Sequence, residues 1–436
     1  MGHVNANEYG FLPENNGIEN QKALQKAVNE TGTIIVSIPG EYKIAGTVYI
    51  GSYTTLNFGN GVILQKTDEM GGFSHVFLNK GALTKSYDNH IRIENLCLET
   101  NGIDCVDNKI MGLRGQVAFY YIKDLVLEGF RCMDLGASQF AIHICTFEDI
   151  LIRDIIIMGD KDGIHLGKGK RFYIGNCVFR TFDDAVALNA QDYDNCNPEM
   201  GWIEDGVVEN CHDLDDDHER KVGFFCRGLS GGWVDWFEGM EVQKSDTVVS
   251  GGRLYRVRAA ADGKKFKSVT RPMHDSGEKT IDGVRWFTAG DEAIYSVGVR
   301  NVIFRNIFLH KPRIGFAFIL EVNRWNRSYY KGAGVPIQEK ITMENIRVLH
   351  KEDRPFVEIN SALDYLAIHN SLMENTKLQF YDKTEAADYL ETILHIKGCV
   401  FNCGDINGFI LNEAKHKNKV ITMHSDCNVF LSTNNI

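Results

Sequence analysis

The feature that most limits what this chain can fold into is a turn residue that returns in phase with short apolar runs. Alternating apolar positions lead into an Asn, Asp or Gly, and a second apolar run follows. Ile91-Arg92-Ile93-Glu94-Asn95-Leu96 and Ile150-Leu151-Ile152-Arg153-Asp154-Ile155 are two copies, and Tyr173-Ile174-Gly175-Asn176-Cys177 and Val207-Val208-Glu209-Asn210-Cys211 are two more. Ile303-Phe304-Arg305-Asn306-Ile307, Thr342-Met343-Glu344-Asn345-Ile346 and Ala367-Ile368-His369-Asn370 continue the series, and Gly129 and Gly398 hold the same place in degenerate copies. Successive markers are 22 to 39 residues apart, except for one step of 96. Three short strands plus their corners take about that length, at roughly five or six residues per strand. Alternation with period two indicates strands. A turn residue at a fixed place in every copy indicates corners that stack, with side-chain amides bonded along the axis.

A repeat of this period reads as a solenoid. That architecture lets all 436 residues form one unit, because each coil touches only its neighbours. A β-sandwich would instead show hairpin signals in register. Asn60-Gly61, Asn101-Gly102 and Asn407-Gly408 occur but do not recur in phase. The 7 Pro and 42 Gly suit extensive backbone pairing with frequent tight corners. The expected fold is all-β, a right-handed parallel β-helix. Ile18 to Val28 has helical spacing, with Ala23, Leu24, Ala27 and Val28 on one side, and would cap the first coil. The long step between Asn210 and Asn306 reads as an insertion at a corner. The β-helix would then comprise residues 1–232 and 291–436, with a small antiparallel module at 233–290. Trp236, Tyr255 and Trp286 are expected either to form a sugar-stacking face there or to fill a minimal core.

The net charge of −11 argues against wholesale phosphate neutralisation, and so against nucleic acid as a partner. A local cationic pocket for an anionic sugar remains compatible with it. No apolar run reaches the roughly 18 residues of a membrane span. Met1-Gly2-His3 reads as an expression scar, so that an export signal is taken to have been removed and a secreted or periplasmic location is expected. The 11 Cys contain no Cys-x-x-Cys spacing; Cys97, Cys177, Cys211 and Cys399 lie in apolar runs and read as packed thiols rather than a metal site.

Two segments carry the candidate chemistry, Gly159-Asp160-Lys161-Asp162-Gly163-Ile164-His165 and Thr181-Phe182-Asp183-Asp184-Ala185-Val186-Ala187-Leu188-Asn189. Asp162 and Asp183 are 21 residues apart where the neighbouring markers are 22 apart, so they occupy nearly equivalent places on consecutive coils. Coils stack about 4.8 Å apart, which brings Asp162, Asp183 and Asp184 to one patch. On a straight strand Asp183 and Asp184 would point to opposite faces, so a corner is expected there. Crowded carboxylates raise one another's proton affinity. One can then donate a proton while another activates water, as glycoside hydrolysis requires. Clustered carboxylates also suit calcium. Lys161, His165, Asn189, Arg227, Arg324, Trp325 and Tyr330 are the candidate substrate contacts, with Tyr329 beside the last pair.

The pattern Asp160-Lys161-Asp162-Gly163 followed one coil later by Asp183-Asp184 resembles glycoside hydrolase family 28, the polygalacturonase group, whose motifs are Asn-Thr-Asp and then Gly-Asp-Asp. The resemblance runs from Glu8-Tyr9-Gly10-Phe11 to about residue 350. It implies that Asp183 is the general acid, that Asp162 and Asp184 hold and activate a water, and that the anomeric centre is inverted without a cofactor. Inversion implies a carboxyl separation of roughly 6.5–9.5 Å. Asp160-Lys161 stands where the family has Asn-Thr. Cys226-Arg227-Gly228 stands for Gly-His-Gly, and Gly315-Phe316-Ala317-Phe318 lacks the basic pair of Arg-Ile-Lys. Arg227, Lys161 and Arg324 would supply a different anion grip. Two other functions fit the same scaffold: a calcium-dependent polysaccharide lyase, and a non-catalytic glycan-binding β-helix such as a phage tail fibre, which would be trimeric.

Overall fold

The computed structural model describes residues 2–193, 195–258, 263–373, 376–381, 391–402, 405–413 and 421–431. Its strands stack in parallel, coil upon coil. Gly115–Glu128 pairs with Phe140–Arg153, which pairs with Ile164–Leu166 and Gly169–Gly175. The ladder continues through Ile203–Asp213, Val299–Leu309 and Ile337–Val348 to Thr392–Lys397. The chain is a right-handed parallel β-helix. Inward positions form columns: Ile93, Leu127, Ile152, Ile174, Val208, Phe304, Met343, Ile368 and Ile396 follow one another in register, all buried. Each such side chain contributes roughly 1.5–3 kcal/mol on burial, and the columns make the repeat cooperative.

All nine markers read from the sequence adopt left-handed backbone, with φ between 51° and 72°. Asn and Gly tolerate that conformation and Asp does so nearly as well, which is why those residues recur. The side chains also form the expected ladder. Asn176 donates to Asp154 (3.2 Å), Asn210 to Asn176 (3.2 Å), Asn306 to Asn210 (2.9 Å) and Asn345 to Asn306 (2.8 Å). A second left-handed row lies five residues before the first seven markers, at His90, Asp124, Asp149, Arg171, Asp205, Asn301 and Lys340.

The N-terminal helix spans Gly17–Asn29. Asn16 accepts from the Glu19 amide (2.9 Å), and the Glu19 carboxylate accepts from the Asn16 amide. Ala23, Leu24, Ala27 and Val28 are buried, and the helix packs on the strands Gly40–Ile44 and Val48–Ile50.

The long step is occupied by separate sheets. Gly231–Gly232 pairs antiparallel with Ser296–Val297 at its neck. Beyond the neck, one sheet runs in the order Val234–Asp235, Thr247–Ser250, Arg253–Val257, Val284–Gly290, Glu278–Ile281. All its pairings are antiparallel except the first. Trp236, Tyr255 and Trp286 do not form a sugar-stacking face. They are buried with Met240, Val242 and Val248 in the core of this module. Their polar ends turn inward where partners exist: Trp236 Nε1 donates to Ser268 Oγ (2.8 Å) and the Tyr255 hydroxyl to the His274 carbonyl (2.7 Å). Cys177, Cys211 and Cys399 are buried free thiols and Cys97 is half-buried. Among the described residues, no helix is long and apolar enough to cross a membrane.

Candidate active site

Two stacked corners build the site. The strands Ile156–Gly159 and Val178–Thr181 pair in register, as do Ile164–Leu166 and Val186–Asn189. The intervening segments 160–163 and 182–185 are therefore superposed corners, and their acidic residues meet. One carboxylate oxygen from each of Asp162, Asp183 and Asp184 lies within 4.8 Å of the others. That is tighter than the roughly 6.5–9.5 Å implied for an inverting pair. Because Asp183 and Asp184 lie in a corner, they escape strand alternation: Asp184 is fully buried and Asp183 reaches solvent.

The corner is held from beneath by two buried cations. Arg313 donates to the Asp183 carbonyl (2.6 Å) and pairs with Asp213 (2.7 Å); Lys311 donates to the Thr181 carbonyl (2.6 Å) and contacts Asp216. Gly223, at φ 67°, backs onto the same peptide, where an added Cβ would fall 2.5 Å from the Asp183 carbonyl carbon.

Each carboxylate of the trio faces a cation. Lys161 contacts Asp183 and lies 3.7 Å from Asp162, and Arg227 Nε is 3.0 Å from Asp184 Oδ2. Burial pushes the Asp184 carboxyl well above the usual carboxylate range, against the pull of Arg227. Burial acts upward on Asp162 too, but Lys161 and His165 outweigh it and hold Asp162 below that range. The two neighbours thus differ in proton affinity, the arrangement that acid–base chemistry uses. Asp162 Oδ1 and Asp184 Oδ2 are buried without an aligned hydrogen-bond donor among the described residues. A divalent cation fits this trio poorly, because Lys161 and Arg227 already occupy its anionic sides.

The cleft beside the trio has a volume of about 620 Å³ and is lined by Arg114, Phe140, Lys161, Asp162, Asp192, Tyr193, Arg227, Lys244 and Trp325. Of the expected contacts, Lys161, Arg227 and Trp325 are there. His165 is not a surface donor: it is fully buried, bonded to Asp162 (2.8 Å) and 3.1 Å from Asp192. Asn189 is also buried, donating to Asp192 (2.7 Å). Arg324 is exposed and stacks on Trp325, 4.2 Å from the ring centroid, outside the lining. Tyr330 is half-buried with its hydroxyl donating to the Glu241 carbonyl (2.9 Å), and Tyr329 is buried; neither flanks the cleft. Arg114, Phe140, Asp192, Tyr193 and Lys244 were missed from the sequence. Only Asp192, three residues beyond Asn189, carried a local signal. Arg114 arrives from an earlier coil and Lys244 from the inserted module.

The stacked coils make the chain a right-handed parallel β-helix, a fold it shares with solved structures. It is similar in fold to an exopolygalacturonase from Thermotoga maritima, with 12% identity and a TM-score of 0.52 over 98% of this chain and 91% of that one. It is also similar to the A-module of a mannuronan C-5 epimerase from Azotobacter vinelandii, with 13% identity and a TM-score of 0.51 over 99% of this chain and all of that one. No protein family's sequence model matches the chain, and no curated protein matches it.

Proposed function

We propose that the protein is a glycoside hydrolase that cleaves a polysaccharide at the trio Asp162, Asp183 and Asp184. The observation that carries this reading is the convergence of three carboxylates, one oxygen of each within 4.8 Å of the others on superposed corners, with the two buried members shifted in opposite directions in proton affinity. In this scheme Asp183, the exposed member, protonates the leaving glycosidic oxygen. Asp162 takes the proton from the attacking water, and protonated Asp184 orients that water. Asp162 Oδ1 and Asp184 Oδ2, which lack aligned partners, are the atoms that such a water would satisfy. The resemblance to family 28 implies inversion, whereas the spacing of the carboxylate oxygens, within 4.8 Å, is nearer that of a retaining pair. The cations Arg114, Lys161, Arg227 and Lys244 suit an anionic sugar chain, and Trp325 at the mouth suits a ring stacked on it. A polymer substrate of this kind would be met outside the cytoplasm.

The test is a panel of neutral and anionic polysaccharides, assayed for new reducing ends and for the ultraviolet absorbance of an unsaturated product. Reducing ends without that absorbance, unaffected by chelation, support hydrolysis. Unsaturated products lost on chelation support the lyase. Tight binding with no product supports a glycan-binding β-helix. Proton NMR of the first-formed anomer separates inversion from retention, the outcome that the close carboxylate spacing would otherwise favour.

A further inference from the structure

His165 and Asp192 lie beside the trio, outside its proposed chemistry, and both are almost completely buried, at 0% and 1% exposure. His165 is on the strand Ile164–Leu166, directly after the corner that carries Asp162. Its Nδ1 is 2.8 Å from Asp162 Oδ2 and its Nε2 is 3.1 Å from Asp192 Oδ2. A neutral imidazole has one N–H and can satisfy only one carboxylate. Nδ1 is hydrogen-bonded to Asp162, while Nε2 faces Asp192 at ion-pair distance without an aligned hydrogen bond; a carboxylate against each ring nitrogen favours the doubly protonated ring. Burial would favour the neutral ring, but Asp162 and Asp192 outweigh it and raise the proton affinity of His165. The ring also stacks face to face on Phe140, with centroids 4.1 Å apart and planes 6° from parallel.

His143, one coil earlier, is the internal contrast. Its ring is 4.7 Å from that of His165. Its Nδ1 accepts from the Arg114 amide (3.0 Å) and its Nε2 faces Asn197 Oδ1 (2.9 Å), which defines a neutral tautomer. Burial, followed by the charge on His165, holds its pKa well below the ordinary value. The other charged groups around the couple are Lys161 and Asp184 on the Asp162 side, and Arg227 and Arg114, each of which acts on both Asp162 and Asp192. Asp192 is anchored independently of the histidine: Asn189 Nδ2 (2.7 Å) and the Tyr193 amide (2.7 Å) both donate to it.

We propose that Asp192 is a positioning residue which holds His165 as a doubly protonated ring clamped between two carboxylates, so that His165 in turn fixes the Asp162 carboxylate. The consequence rests on Asp162 acting as the base proposed above. With Oδ2 bound to His165, Asp162 presents Oδ1 to the reacting water. With Asp162 locked as an anion, the proton of the cluster stays on Asp184.

The first arm of the test needs no substrate. The full chain is labelled with ¹⁵N-histidine, His165 is assigned by its loss in His165→Gln, and the ring nitrogens are followed against pH. If that variant does not fold, His165 is assigned by its contact with the Phe140 ring protons. Both nitrogens of His165 should stay protonated above the pH at which an ordinary histidine becomes neutral. Asp192→Asn should lower the titration midpoint at least tenfold in proton concentration. The second arm uses whichever polysaccharide of the panel is cleaved. Asp192→Asn should lower kcat about tenfold or more with little change in KM, and should move the acid limb of kcat/KM to higher pH, because Asp162 loses the cation that keeps it ionised. A merely structural Asp192 would lower melting without moving that limb. A neutral His165 at pH 7 in the unmodified protein, or an unchanged midpoint in Asp192→Asn, overturns the proposal. If no polysaccharide is cleaved, the reading of the trio fails, while the ring titration still decides the couple.

Discussion

Replacing Arg313 with Met should be among the most damaging single changes near the site. Arg313 and Asp213 each have 1% side-chain exposure and are bound by two hydrogen bonds, at 2.7 and 3.1 Å. Removing one partner of such a pair strands a buried charge and costs about 3–5 kcal/mol. Replacing both with apolar residues removes that penalty, and can be neutral or better. Arg313 also donates to the Asp183 carbonyl, which retains a second donor in Thr181 Oγ1 (2.9 Å). A residual loss of about 1–2 kcal/mol is therefore expected in the double variant. Arg313→Met should cost about 4 kcal/mol, and Arg313→Met with Asp213→Leu should recover at least about 2 of these. Urea unfolding followed by far-ultraviolet circular dichroism measures both. On a cleaved substrate both variants should lose about 10²-fold in kcat, because the corner that presents Asp183 is released in each. A single variant that costs less than about 1 kcal/mol, or a double variant no more stable than the single, would refute the claim that this buried pair braces the corner.

Further expectations follow from the same geometry. Asn210→Ala should destabilise by about 2–3 kcal/mol, from left-handed backbone at φ 53° and two lost ladder bonds, and Asn210→Gly by less because only the bonds are lost; thermal unfolding ranks the two. Because Asp184 binds its proton more tightly folded than unfolded, its contribution to stability should fall as pH rises from about 4 to about 8. The stability of Asp184→Asn relative to the parent should therefore rise over that window by at least about 1.4 kcal/mol, the value of a tenfold change in proton affinity, as read from urea midpoints at both ends. Gly223→Ala forces a Cβ against the Asp183 peptide and should lower kcat about 10²-fold while the strand spectrum is kept. Trp325→Ala, at a half-exposed position, should raise KM about fivefold at unchanged kcat, the loss of about 1 kcal/mol of stacking.

The solenoid was legible because it needs Asn, Asp or Gly where each coil turns left-handed. The second left-handed row was not, because His90, Arg171 and Lys340 are not turn formers. That row is held partly by cross-coil side-chain contacts, such as His90 with Asp124 (3.2 Å) and the ion pair of Arg171 with Asp149 (2.7 Å). The meeting of Asp162 with Asp183 was legible from phase alone, since positions one coil apart are neighbours. What phase cannot give is depth. His165 and Asn189 share the strands of the site but lie under it, and Trp236, Tyr255 and Trp286 fill a small core that the aromatic pattern alone left open. The basic wall of the cleft combines Arg114, Arg227 and Lys244 from three separated parts of the chain, and no local pattern joins them.

The central claim is that this trio of carboxylates cleaves a glycosidic bond. Its most direct test is the rate of reducing-end release on a cleaved polysaccharide for Asp162→Asn and Asp183→Asn, each checked for unchanged melting. Loss of one acid or base group should cost about 10²–10⁴-fold in kcat, with Asp183→Asn losing the acid and Asp162→Asn the base. Turnover near the parent rate in either variant, with the fold intact, would contradict the account.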